Sequence, residues 1–297
     1  MKKEGYVSLS AAIADLCGEA VRITEKTPVS GGDINAAYAL TLSDGTRLFL
    51  KANRRENLDF FRAETEGLEA IRTTGTIATP EILGFGTDGE SAFLLLELVE
   101  SKRKSEGFFE RFGQCLAAMH QADTESFVSG GRYGFAHDNY IGAGPQKNEP
   151  RDSWIDFFRD CRLAPQFARA DHYFSGSDHA RIERLLDRLP ELLIEPERPS
   201  LLHGDLWGGN FMAGPDGEAW LIDPAAYVGC HEADLAMTEL FGGLPREFYT
   251  SYTQAFPLQP GYADRRDLYN LYHLLNHLNL FGAGYLSSVR GILGRYT

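Results

Sequence analysis

Apolar residues along this chain are arranged in two ways, and the change between them divides the sequence. In the N-terminal part they come in short runs of strand length: Val21 to Glu25, Ala36 to Leu42, Arg47 to Lys51, Glu81 to Phe85 and Phe93 to Val99. One stretch there reads differently. From Asn57 to Thr73 the apolar residues fall at 60, 61, 63, 68 and 71, the spacing of a helical face. Beyond residue 107 the helical period dominates. Phe108, Phe109, Phe112, Leu116 and Met119 line one side of Gly107 to Gln121, and Arg181 to Leu189 and Leu268 to Leu280 follow the same pattern. Ser153 caps a predicted helix through Trp154 to Leu163, which Pro165 should end. Two short strands, Phe211 to Ala213 and Glu218 to Ile222, flank the turn Gly214-Pro215-Asp216-Gly217. The pattern predicts an α+β protein of two lobes. Residues 1–98 hold a small, mainly antiparallel sheet with one main helix, and residues 99–297 a larger, mainly helical lobe. The boundary falls where Phe93 to Val99 gives way to the charged run Glu100 to Glu106.

Composition fits this picture. At 297 residues the chain exceeds what one hydrophobic core comfortably fills. A hydrophobic fraction of 43% and a charged fraction of 24% are those of a globular protein. The net charge of −13 argues against a nucleic acid or an anionic membrane as partner. Cys17, Cys115, Cys161 and Cys230 are far apart with no C-x-x-C pair, so buried thiols in a reducing compartment are expected and not zinc. Glu4, Asp15 and Glu19 interrupt the N-terminal apolar stretch, which therefore does not read as a signal peptide, and no run reaches membrane length. A cytoplasmic location is expected.

The candidate chemistry lies in Leu202-His203-Gly204-Asp205-Leu206-Trp207-Gly208-Gly209-Asn210, followed by Leu221-Ile222-Asp223-Pro224. Protein kinases space an Asp and an Asn in this way: the Asp accepts the proton of the attacking hydroxyl, the Asn binds magnesium, and a later Asp bridges metal to phosphates. Asp205 is accordingly the candidate catalytic base, with Asn210 and Asp223 the candidate metal ligands. A γ-phosphoryl group in transit spreads negative charge over its oxygens, so the chemistry needs positioning and a cation held by hard oxygen donors. The turn at Gly214 to Gly217 should fold Asp223 back beside Asn210.

A nucleotide grip is expected upstream. Val29-Ser30-Gly31-Gly32-Asp33-Ile34-Asn35 is a glycine-bearing loop between strands, where Gly31 and Gly32 let backbone amides approach phosphates and Asn35 closes the loop. Lys51 ends the next strand, where kinases place a phosphate-pairing lysine. Glu64, Glu66 and Glu69 lie along the following helix, and Glu64 is the expected partner of Lys51. Glu97 to Val99, where the sheet ends, are candidates for the adenine pocket. His273 and His277 stand at i, i+4 without the Glu of H-E-x-x-H, and read as hydrogen-bonded helix residues. The glycine- and aromatic-rich Gly131 to Gly144 suits an acceptor-selecting loop and a structured connector equally well.

The run His203 to Asn210, with Asp223-Pro224-Ala225-Ala226-Tyr227 and Glu232-Ala233-Asp234-Leu235-Ala236-Met237, resembles the fructosamine kinase (ketosamine 3-kinase) family. Gly31 to Asn35, Phe61 to Leu68, Trp154 to Leu163 and Tyr272 to Gly282 extend the resemblance over nearly the whole chain. Trp207 is the discriminating residue, since aminoglycoside phosphotransferases and choline kinases usually lack it. The resemblance implies a protein-kinase-like fold and magnesium- and ATP-dependent transfer to the C3 hydroxyl of a ketosamine, carried on a free amine or a protein lysine. It implies Asp205 as base, Asn210 and Asp223 as magnesium ligands, Lys51 and Glu64 as the phosphate-positioning pair, and Asp234 as a buried brace of the catalytic loop. Trp207 and Trp154 become expected walls of the sugar pocket, with a buried core position as the competing reading for Trp154. One block departs: the family usually reads Tyr-Gly-His-Arg-Glu where this chain has Val228-Gly229-Cys230-His231-Glu232, which removes an arginine. A phosphotransferase for another small acceptor and a catalytically silent binding module are the alternatives at this stage.

Overall fold

Five strands form one antiparallel sheet in the order β1-β2-β3-β5-β4: β1 Ile23–Val29, β2 Ala36–Leu42, β3 Arg47–Arg54, β4 Ile82–Asp88 and β5 Ser91–Glu97. The computed structural model describes residues 5–30 and 34–297, so Gly31 and Gly32 of the predicted phosphate loop lie outside the described residues. Side-chain alternation builds a thin core on each face of the sheet. Leu48 and Leu50 of β3 and Phe93 and Leu95 of β5 pack with Ala12 and Ile13 of helix α1 (Leu9–Cys17). Phe49, Leu94 and Leu96 pack on the other side with Phe61 and Leu68 of helix α2 (Leu58–Thr73). Cover on both faces explains why Ala92 to Leu96 is apolar without a break.

This arrangement selects the ion pair. Lys51 follows Phe49 by two residues and so lies on the α2 face of the sheet. Glu64 is three residues after Phe61 and four before Leu68, on the stripe of α2 that meets the sheet, whereas Glu69 is exposed. Strand β1 differs from the predicted Val21 to Glu25. It runs on through Lys26, Thr27 and Pro28 and is exposed throughout. As an edge strand it is held by backbone pairing to β2, so Lys26 to Pro28 continue it without an apolar signal, and proline is tolerated there.

After Glu97 the chain turns helical. Helix α3 (Phe108–His120) precedes a hairpin, β6 (Asn139–Ile141) with β7 (Gly144–Gln146). Then come α4 (Trp154–Phe157), a π-helical segment Phe158–Leu163, α5 (Ala164–Arg169) and α6 (Gly176–Leu192). Strand β8 (Ser200–Leu202) pairs with β11 (Tyr227–Gly229), and β9 (Phe211–Ala213) with β10 (Ala219–Leu221). Helices α7 (His231–Leu240), α8 (Arg246–Ala255), α9 (Tyr262–Phe281) and α10 (Leu286–Tyr296) complete the chain. Among the described residues no helix is long and apolar enough to cross a membrane.

Pro165 does not end its helix. The Ala164 N–H bonds to the carbonyl of Arg159, five residues back, and α5 starts afresh with Pro165 in its first turn. A first-turn residue is not required to donate within the helix, so the missing proline N–H costs little there.

Candidate active site

The loop His203-Gly204-Asp205 leaves the end of β8 and is fixed from three sides. From the first turn of α7, Asp234 accepts the N–H of His203 (2.7 Å, Oδ2) and of Gly204 (2.8 Å, Oδ1). The His203 ring donates from Nε2 to the carbonyl of Ile222 (2.9 Å), and its Nδ1 accepts the Asp205 N–H (3.3 Å). Gly204 has φ +81°, and a Cβ there would sit 2.0 Å from the carbonyl oxygen of Ala225, so only glycine fits this crossing. The brace by Asp234 is thus direct, from carboxylate to catalytic-loop amides.

The β9–β10 hairpin carries the metal candidates together. Its register pairs Phe211 with Leu221, and just beyond, the Ile222 N–H reaches the Asn210 carbonyl at 3.1 Å. Asp223 therefore follows directly beside Asn210. It is the one positive-φ residue other than glycine among the described residues (φ +53°), a conformation that Asp tolerates better than most. Asn210 donates from Nδ2 to the Asp205 carbonyl (2.8 Å) and carboxylate (3.2 Å).

Lys51 closes the cluster. Its Nζ donates to Glu64 Oε1 at 2.6 Å and to Asp223 Oδ1. Burial works against its charge, but Asp223 and Glu64 outweigh burial and hold the ammonium above its usual range. Asp205 goes the other way for a carboxylate: burial raises it to about 7, the Asn210 hydrogen bond opposes, and the charges of Asp223 and Asp234 add to the rise. A carboxylate near neutrality is suited to take a proton from a hydroxyl at physiological pH.

The donor set fits a magnesium ion. Because both Asn210 amide protons turn toward Asp205, its Oδ1 faces away as a hard acceptor, and the Asp223 side chain is 44% exposed. Oxygen donors of this kind suit magnesium better than softer metals.

The remaining expected residues are placed as follows. Asn35 is half-buried, its Oδ1 accepting from Asn53 Nδ2 (2.7 Å), while Asn57 donates to Asn53 (2.9 Å). Glu97 ends β5 with its carboxylate accepting the Glu81 N–H (3.2 Å), and Val99 lies half-buried in the connection that follows. Trp207 is 42% exposed and begins a row of rings: Phe241 at 6.4 Å, then His277 at 4.9 Å from Phe241, with Phe281 and Tyr285 at 5.4 and 5.1 Å from His277. Trp154 corrects the sequence expectation. It is fully buried among Tyr133, Phe157, Phe158 and Tyr269, so it is core and not a wall of an open pocket. His277 donates from Nδ1 to the His273 carbonyl, a bond within the helix.

Several supporting residues escaped the sequence reading. The Gly131 to Gly144 segment leads into a buried brace: Asn139 Nδ2 donates to the Ala226 carbonyl (2.7 Å), Gln146 Nε2 to that of Ala225 (3.0 Å), and Tyr272 OH to Gln146 Oε1 (2.7 Å). It acts as a connector that holds the chain just after Asp223-Pro224. The segment after Glu97 is tied to the hairpin by Lys102 N–H to Ala213 (3.0 Å), Ser105 N–H to Gly217 (3.1 Å) and the bidentate pair of Arg111 with Glu218, both bonds 2.7 Å. His231, at the departure from the family pattern, is buried behind the loop and stacks on Phe256 at 4.0 Å. Its neighbour Glu232 pairs with Arg265 through two bonds of 2.7 and 2.8 Å. Spacing along the chain carries no sign of these partners.

Known proteins place this geometry. The family model for fructosamine kinase matches residues 6–297. A protein of Synechocystis sp. named as a probable ketoamine kinase is 41% identical over 290 residues, covering 97% of this chain and 95% of that protein. A chloroplastic protein-ribulosamine 3-kinase of Oryza sativa subsp. indica is 39% identical over 286 residues, covering 94% and 80%. A Haemophilus somnus crystal structure assigned as a fructosamine-3-kinase superposes with a TM-score of 0.85 at 29% identity, covering 97% and 96%. The chain belongs to the fructosamine kinase family.

Proposed function

We propose that this chain is an ATP-dependent ketosamine 3-kinase, which phosphorylates the C3 hydroxyl of a ribulosamine- or fructosamine-type adduct. The observation that carries this reading is the closure of Lys51, Glu64, Asp205, Asn210 and Asp223 into one cluster, with Trp207, two residues after Asp205, exposed. In the proposed reaction the C3 oxygen of the ketosamine attacks the γ-phosphorus. The O3–P bond forms, the bond to the β,γ-bridging oxygen breaks and leaves with ADP, and the hydroxyl proton passes to the Asp205 carboxylate. Lys51, held by Glu64, pairs with phosphate oxygens. Magnesium bound by Asn210 Oδ1 and Asp223 would offset charge on the β- and γ-phosphates.

Residues 1–98 serve in this reading as the nucleotide lobe, with Gly31, Gly32 and Asn35 over the phosphates and Glu97 to Val99 at adenine. Residues 99–297 hold the catalytic loop and the acceptor. The face of Trp207, Phe241 and Phe281 suits the carbon skeleton and amine substituent of an adduct, whether a free amine or a protein lysine. We place the protein in the cytoplasm, where ATP is abundant.

An acceptor panel tests the proposal. With magnesium-ATP, a ribulose- or fructose-amine should support ADP formation while aminoglycosides and choline should not. ADP formation only with the latter compounds would transfer the protein to the other phosphotransferases, and none with any acceptor would favour a binding module.

A further inference from the structure

Behind the catalytic loop three buried side chains form a hydrogen-bonded line that the reaction itself does not use. His120 Nε2 lies 3.1 Å from Asp234 Oδ2, His120 Nδ1 lies 2.7 Å from the Tyr252 hydroxyl, and that hydroxyl lies 2.9 Å from His231 Nδ1. They come from three helices, α3, α8 and α7, and are 0%, 0% and 4% exposed for His120, Tyr252 and His231. Phenylalanine at 252 would fill the same volume without a polar atom to satisfy, and buried polar groups are costly when any member of a network lacks a partner.

The chemistry of the groups fixes the direction of the bond that reaches Asp234. Burial raises the Asp234 carboxyl, but the His120 bond leads the opposing contributions and the group stays below the usual carboxylate range. An ionised Asp234 accepts only, so His120 carries a proton on Nε2. The Tyr252 hydroxyl lies between two imidazole nitrogens, donating to one and accepting from the other. Burial, then the nearby His120 and Arg265, hold His231 down to about 3 and keep it neutral. The other ionisable groups at this site are Cys230, which is buried, Glu232, which is paired with Arg265, and His203.

We infer that His231, Tyr252 and His120 are positioning residues, whose line of hydrogen bonds holds the Asp234 carboxylate at the angle that grips the His203 and Gly204 amides and so aims Asp205. The line also accounts for the departure at 231. An imidazole supplies a hydrogen-bond partner for the Tyr252 hydroxyl, and Arg265 satisfies Glu232 separately.

The turnover readout rests on the phosphotransferase reading, but a second readout does not. In the full-length protein labelled with 13C and 15N at histidine, NMR should find His120 protonated at Nε2, the atom that faces the Asp234 carboxylate. A His120 with no proton on Nε2 would overturn the inference whatever reaction the protein performs. In Y252F, kcat on the best acceptor should fall about tenfold or more, because small displacements of a catalytic group cost orders of magnitude. KM and magnesium-ATP affinity should stay within about twofold, since the chain touches neither ligand. Unchanged kcat in a folded Y252F would reduce the line to core packing. If Y252F fails to fold, H231N, which keeps a hydrogen-bond partner for Tyr252, should retain more turnover than H231F, and equal kcat in the two would overturn the inference.

Discussion

Asn210 directs both of its side-chain amide protons at Asp205, one to the backbone carbonyl at 2.8 Å and one to the carboxylate at 3.2 Å. The five-residue spacing in the sequence is thereby a physical contact. It steadies the candidate base and leaves the Asn210 Oδ1 unengaged by Asp205. One side chain thus contacts the candidate base and carries a candidate metal ligand.

Asp205→Asn should keep the fold and nucleotide binding while lowering turnover by about a hundredfold or more, the scale of a positioned base. Steady-state kinetics beside ATP titration of the same preparation make the check. Near-normal turnover would remove Asp205 from its role.

The raised Asp205 carboxyl also sets a pH dependence. The base must be ionised, so kcat should fall with decreasing pH below about 7. Stability should move the opposite way. The folded value of about 7 lies above the ordinary 3.8, so the native state keeps its proton to higher pH than the unfolded chain, and stability declines between those values as pH rises. Asp205→Asn removes that loss and should melt above wild type at about pH 8 but not at about pH 3. Calorimetry showing no gain at the higher pH would contradict the assignment.

Asp223→Ala should weaken magnesium-ATP binding along with turnover, because the metal links this carboxylate to the phosphates. It also deletes one of the two acids on Lys51. Isothermal titration with and without magnesium separates the two effects, and an affinity unchanged in both conditions would exclude Asp223 as a ligand.

The two tryptophans should respond differently. Trp207→Ala should raise KM for the acceptor while leaving thermal stability and nucleotide affinity close to wild type, since the ring is 42% exposed. Trp154→Ala should destabilise the fold by about 3–5 kcal/mol, the usual cost of removing a large buried aromatic. Urea melts and acceptor kinetics on both variants decide the matter, and a reversed pattern would restore Trp154 to the site.

Phosphate on C3 of a ketosamine sits next to the C2 carbonyl. Enolisation between C1 and C2 makes that phosphate an allylic leaving group, so the product should decompose to inorganic phosphate, a deoxy-dicarbonyl sugar and the free amine. ADP should appear first and amine later, at a rate independent of enzyme concentration once phosphorylation is complete. Amine release that scales with enzyme would argue for a catalysed second step.

Much of this protein is set by local patterning. The short apolar runs of β2, β3 and β5 and the helical stripe of α2 each follow from which side must meet a core, and the kinase layout then points to Glu64 among the acids of α2 as the partner of Lys51. The hairpin turn and the Asp205, Asn210 and Asp223 spacing are likewise local, since a few residues dictate the backbone path. What tertiary structure alone decided are the relations between distant segments. Trp154 has the composition of a pocket wall and ends in the core, because burial depends on Tyr133 and Tyr269 arriving from elsewhere in the chain. Pro165 starts a new helical segment because a π turn precedes it. The line from His231 through Tyr252 and His120 to Asp234 joins three helices by hydrogen bonds only about 3 Å long, a distance over which no sequence period acts.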